Sequence, residues 1–140
     1  MTKIQRSLNL IMQAALDAAM PKDKFKFIPE SPKGNLIVLG AGKAAASMAA
    51  EFEKSYDKPL KGITITRYGH HTNTKFIKVV EASHPNPDKS GLLASKKLFD
   101  LAAESIIDDH IVFLVSGGAS SLLTLPFNGV SFSEKQRINN

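Results

Sequence analysis

Leu36-Ile37-Val38-Leu39-Gly40-Ala41-Gly42-Lys43 is the stretch that decides the fold. Consecutive apolar residues without polar alternation predict a strand covered on both faces, as in a parallel sheet. The run stops at a glycine-rich turn that carries a lysine. Ala44-Ala45-Ala46-Ser47 follows, small residues that let a helix start lie close to a sheet. The same punctuation returns at Ile111-Val112-Phe113-Leu114-Val115-Ser116-Gly117-Gly118-Ala119-Ser120-Ser121. Strand, tight turn and helix start is an arrangement that points backbone N–H groups at an anion. Two such turns predict a phosphate or carboxylate site at the carboxyl ends of the strands.

Working outward, Ile4, Leu8, Ile11, Met12, Ala15, Leu16 and Ala19 recur at helical spacing before Pro21. They predict an amphipathic first helix. The stretch 22–33 holds Pro29 and Pro32 and reads as a loop. Lys43–Lys54 reads as a helix, Gly62–Thr66 and Phe76–Val80 as strands, and Ile111–Val115 as the fourth strand. Asn86 and Pro87 suit the cap and first position of a further helix. A short helix is expected from about Ala119 to before Pro126. Ser133 and Gln136 fit a capping box at the head of a last helix. The order α, β, α, β, β, α, β, α predicts an α/β, three-layer Rossmann-like domain with a mostly parallel sheet. The helix announced at Ser133 has only a turn or two before Asn140, so the 140 residues read as a truncated part of a longer polypeptide.

Bulk properties exclude several classes. The chain has no cysteine, so disulfides and thiolate metal sites are out. No apolar run approaches the roughly 20 residues of a membrane span. The N-terminus lacks a signal-peptide pattern, and the reading is cytoplasmic. The net charge of +5 raises the question of nucleic acid. Yet the basic residues are scattered, and no aromatic residues interleave with them as a stacking platform. A field that draws small anionic metabolites is the reading kept.

The first turn can be held against known templates. A P-loop would need glycine at position 37 and Ser or Thr at position 44, where Ile37 and Ala44 stand. A dinucleotide fingerprint is met by Gly40, Gly42 and Ala45, but Thr66-Arg67 stands where a ribose-binding carboxylate is wanted. Arg67 could meet a 2′-phosphate, so an NADP-binding domain stays open. A plain anion cradle is the third template, with Lys43 adding a full charge at the positive helix end. An exposed first-turn lysine is its plain alternative. At the second turn Ser116, Gly117, Gly118 and Ser120 offer amides and hydroxyls for an anion. A nucleophilic serine is disfavoured because G-x-S-x-G is absent. His84, before Pro85, could orient a substrate or act as a base. A structural histidine in a turn is the alternative. His70 and His71 would point to opposite faces of a strand, and no metal site is expected.

Three segments together carry a resemblance. Val38 to Ala45 with Met48-Ala49, Glu81-Ala82-Ser83-His84-Pro85-Asn86-Pro87-Asp88, and Val115 to Leu123 followed by Pro126 resemble, in order, motifs of the class II glycerate 2-kinases, whose C-terminal part is called MOFRL. The match runs from Gly34 onward. Ser121 departs from the alanine of the family motif. The resemblance implies ATP-dependent, Mg²⁺-assisted phosphorylation of D-glycerate at its 2-hydroxyl, in a cleft between two domains. Residues 1–140 would then be part of the N-terminal Rossmann-like domain, with the C-terminal domain absent and the fragment inactive alone. Lys43 would be catalytic. Gly40, Gly42, Ser116, Gly117, Gly118, Ser120 and His84 would bind substrate or phosphate. The partners implied are glycerate and a nucleotide, with no nucleic acid and no membrane. A phosphosugar-binding module of the sugar-isomerase type is the runner-up, although Ala44, Ala45 and Ala46 stand where it would want a Ser or Thr cluster.

Overall fold

The computed structural model describes residues 1–25, 30, 32–117 and 119–139. Part of the expected loop at 22–33, including Pro29, and the candidate site residue Gly118 lie outside the described residues. The chain runs α1 (Lys3–Ala19), β1 (Leu36–Ala41), α2 (Ala45–Ser55), β2 (Lys61–Arg67), β3 (Ile77–Ala82), α3 (Lys89–Ala103), β4 (His110–Val115), a 3₁₀ turn (Ala119–Ser121) and α4 (Phe132–Asn139).

The four strands form one sheet in the order β3-β2-β1-β4. Every pairing is parallel, so "mostly parallel" becomes wholly parallel among these strands. β1 lies inside the sheet and is buried at all six positions, which is why its sequence shows no alternation. Its residues divide between two cores. Leu36 and Val38 meet Ala49, Phe52 and Tyr56 on the α2 side, with Ile77 and Leu114. Ile37 and Leu39 meet Ile63, Ile65, Ala94, Leu98 and Leu122 on the α3 side. The architecture is therefore helix, sheet, helix. Glu53 of α2 ties the layers by accepting the amides of Lys75, Phe76 and Ile77 at 2.6, 2.8 and 2.6 Å, which fixes the start of β3.

Several local expectations shift. α2 starts at Ala45 because Gly42 and Lys43 are spent in the turn. The cap of α3 is Asp88 and not Asn86, and Pro87 precedes the helix. The reason is local chemistry: the Asp88 carboxylate accepts the Gly91 amide at 2.9 Å and the Tyr68 hydroxyl at 2.7 Å. The segment from Ala119 makes only a 3₁₀ turn. At α4 the capping box sits two residues earlier than Ser133. Ser131 Oγ accepts the Glu134 amide at 3.2 Å, and the Glu134 carboxylate accepts the Ser131 amide at 2.7 Å. A carboxylate is the stronger acceptor, and Gln136 is left free to donate to the Pro87 carbonyl at 2.8 Å. That contact anchors a helix otherwise too short to hold alone. α1 forms as expected, with a Thr2–Gln5 capping box, but none of its residues is buried, and Ile4, Leu8, Ile11 and Leu16 lie on the surface.

Asp88 gives a direct stability prediction. Burial pushes its carboxyl upward, but the Gly91 amide, the Tyr68 hydroxyl and the Ser83 amide together outweigh this and hold it below the ordinary 3.8. A carboxyl lowered by folding stabilises the fold above its unfolded value, and that contribution is lost as pH falls through the folded value. Asp88→Ala is expected to cost about 1–2 kcal/mol at neutral pH, the typical worth of a cap. The gap to the parent protein should shrink at an acidic pH that protonates the folded carboxyl. Urea denaturation at the two pH values checks this, and an equal cost at both would remove the charge from the explanation.

Candidate functional site

Because β1 and β4 are adjacent and parallel, the turns that follow them leave the same end of the sheet. Ala41 stands opposite Val115 in the register, immediately before the two turns. This is also where the strand order reverses, β2 lying on one side of β1 and β4 on the other. In open α/β sheets the crevice at such a reversal is where ligands bind.

The first turn is held by its backbone. Gly42 has φ +129°, a conformation that a residue with a side chain rarely adopts, and its amide donates to the Ile65 carbonyl at 3.0 Å. A Cβ at Gly42 would also collide with Ser116 Oγ and the Ser116 carbonyl. The Ala45 amide donates to the Gly42 carbonyl at 3.1 Å, and the Thr66 hydroxyl to the Lys43 carbonyl at 3.2 Å. The backbone of Lys43 is thus fixed while its side chain stands exposed.

Ser116 joins the turns. Its amide donates to the Ala41 carbonyl at 3.2 Å, and its hydroxyl oxygen accepts the Ala44 amide at 2.9 Å, across 72 residues of sequence. α2 has no side-chain cap of its own, so Ser116 supplies the acceptor from another element. No hydrogen bond among the described residues takes the amide of half-buried Ser47, which remains as a donor at the positive end of α2, whereas Ala46 is fully buried. Gly117, the next residue, is exposed, as is Ser120. The segment beyond is fastened to α3, since Ser95 Oγ accepts the Thr124 amide at 2.8 Å and donates to the Leu122 carbonyl at 3.4 Å. Ser121 Oγ is buried with no partner among the described residues.

The expected residues therefore separate. Gly42 and Ser116 meet at the β1/β4 crevice, with Lys43 and Gly117 next to them in the chain. Gly40 does not face it; it is buried within β1 between Thr64 and Leu114, and its missing side chain lets strands approach. His84 is half-buried after β3, joined to Pro85 by a cis peptide bond. β3 is the far edge of the sheet, so His84 starts about 10 Å from the end of β1, at roughly 4.8 Å per strand. Sequence reasoning gave no role to Thr66, Ser95 or Glu81. Glu81 accepts the Gly69 and His70 amides at 2.7 and 3.2 Å. No periodicity signals these contacts, because each depends on which strands are neighbours.

The crevice is rich in donors and poor in carboxylates. No group of three or more His, Cys, Asp or Glu among the described residues is arranged to hold a metal ion. Mg²⁺ wants oxygen ligands, and Glu81 and Asp88, on the β3 side, are occupied by amides and a hydroxyl. These residues do not fit a Mg²⁺ site. No helix among the described residues is long and apolar enough to cross a membrane.

A wholly parallel sheet with helices on both faces defines an α/β domain of Rossmann type. The chain belongs to the family described as "Domain of unknown function (DUF4147)", the N-terminal domain of glycerate 2-kinases, which it matches over residues 7–140. It is 41% identical over 134 residues to a provisionally named hydroxypyruvate reductase of Agrobacterium vitis, covering 94% of this chain and 31% of that protein. It is 34% identical over 131 residues to the D-glycerate 2-kinase of Thermotoga maritima, covering 91% of this chain and 31% of the relative. The crystal structure of a Thermotoga maritima glycerate kinase superposes with a TM-score of 0.82 at 28% identity, over 96% of this chain and 33% of that one. The chain thus spans about a third of the length of these relatives.

Proposed function

We propose that this chain supplies the anion-holding half of a glycerate 2-kinase, an ATP-dependent enzyme that phosphorylates D-glycerate at its 2-hydroxyl. The observation that carries the reading is the junction of the two turns, with the Ala44 amide on Ser116 Oγ at 2.9 Å and Lys43 at its edge. Phosphoryl transfer asks a protein mainly for positioning and charge stabilisation. The positive end of α2, with the Ser47 amide unpaired, suits a phosphate, and the Lys43 ammonium suits negative charge that grows on the transferring group. The relatives' names support glycerate as the substrate.

The chain alone is expected to bind these anions weakly and to transfer no phosphate. An amide NMR titration of residues 1–140 with D-glycerate, ATP and inorganic phosphate should move Lys43, Ala46, Ser47 and Gly117. Glycerate turnover by this chain with ATP would overturn the second half of the expectation. The reductase name of the Agrobacterium relative favours a second reading, NADP held in the same cradle. Against it, Gly40 is buried within β1, so the first glycine of the dinucleotide fingerprint is not in the turn. Saturable NADPH binding, with no response to ATP or glycerate, would favour it over the kinase.

A further inference from the structure

Arg67 is the last residue of β2 and is exposed. By strand alternation its side chain falls on the side of Ile63 and Ile65, the face packed against α3. Ile65 shares that core with Leu122, so the segment leaving β4 crosses this face toward Arg67. Two residues beyond Ile65 comes Arg67, and two residues before Leu122 comes exposed Ser120. One residue before Arg67, the Thr66 hydroxyl is bonded to the Lys43 carbonyl at 3.2 Å. Arg67 therefore follows directly on the Thr66–Lys43 contact, with its side chain on the opposite face of the sheet from α2.

Charge pairing is sparse throughout the described residues. The only ion pair among the described residues is Lys54 with Glu51, at the far end of α2. Glu81 and Asp88 belong to the strand-end loops, yet they receive backbone amides and the Tyr68 hydroxyl instead of a cation. Lys43 and Arg67 are left as two unpaired cations of different shape on one rim. A guanidinium presents a planar fork that matches a carboxylate, whereas an ammonium is a point charge suited to any anion.

We propose that Arg67 is the carboxylate-binding residue of this site and fixes its preference for a small 2-hydroxy carboxylate, leaving Lys43 for the phosphoryl end. The proposal rests on the glycerate reading above and assigns its two anionic groups to two named cations. It adds a requirement: a guest without a carboxylate, such as glycerol, gains nothing from Arg67.

The chain has three arginines, Arg6, Arg67 and Arg137, so their Nε–H resonances can be assigned by substitution. Titration of residues 1–140 with D-glycerate should shift Arg67 Nε–H, and glycerol should not. Arg67→Gln is expected to weaken D-glycerate about tenfold or more, and inorganic phosphate less than about twofold. Arg67→Lys should recover part of the loss, and Lys43→Gln should fall mainly on phosphate. Unchanged D-glycerate affinity in Arg67→Gln, or equal losses for both ligands, would overturn the assignment and leave the kinase reading standing. A parent chain that binds phosphate but not D-glycerate would overturn both.

Discussion

Alanine at Lys43 is expected to lower the turnover of a full-length glycerate kinase carrying this domain by about 10²–10³-fold, the usual cost of removing one preorganised electrostatic stabiliser. The fold should be indifferent. The Lys43 side chain is exposed, and its backbone carbonyl, which receives the Thr66 hydroxyl, is unchanged by the substitution. Surface changes of this kind stay within about 0.5 kcal/mol. Steady-state kinetics beside a thermal melt separates the two effects. A lysine at a helix N-terminus is mildly unfavourable to the helix dipole, so its removal could even raise the melting temperature slightly. A near-normal kcat would end the catalytic role.

Gly42→Ala should do the reverse and damage both fold and site. The residue sits at φ +129°, and strain of that sort costs of order 1–3 kcal/mol. The new methyl group would also meet Ser116 Oγ and the Ser116 carbonyl, so the turns must part. Parting them removes the acceptor of the Ala44 amide, whose loss costs a further ~1–3 kcal/mol. Denaturant unfolding should show a loss above about 3 kcal/mol, and phosphate titration no response. A second substitution, Ser116→Gly, should recover only part of the stability, because the carbonyl collision remains. An alanine variant that unfolds with the parent and still binds phosphate would refute this account of the crevice.

The layers were readable in the sequence because burial on both faces leaves an uninterrupted apolar run. Leu36–Leu39 and Ile111–Val115 show it, and both are strands. β4 is only partly covered, however, with Ile111, Phe113 and Val115 exposed at the sheet edge. An apolar run signals a strand without saying what covers it. The same holds for α1, whose periodicity gives the helix and not its surroundings. Helix starts differ from the expected ones where a stronger capping partner, tertiary at α3 and local at α4, decides the cap. Tyr68 helps fix Asp88 as a cap, and the Glu134 carboxylate helps fix Ser131. At the site, the two glycine-punctuated turns were legible from the sequence. Their meeting was not, because Ser116 and Ala44 become partners only once β4 lies beside β1.

That meeting orders events in time. Seventy-two residues separate the two partners, and until the fourth strand docks, the first amides of α2 have no acceptor from Ser116. Contacts so distant along the chain close late and slowly. Ligand capture should therefore switch on with completion of the sheet, so the rate at which a refolding chain recovers phosphate binding would clock the arrival of its last strand.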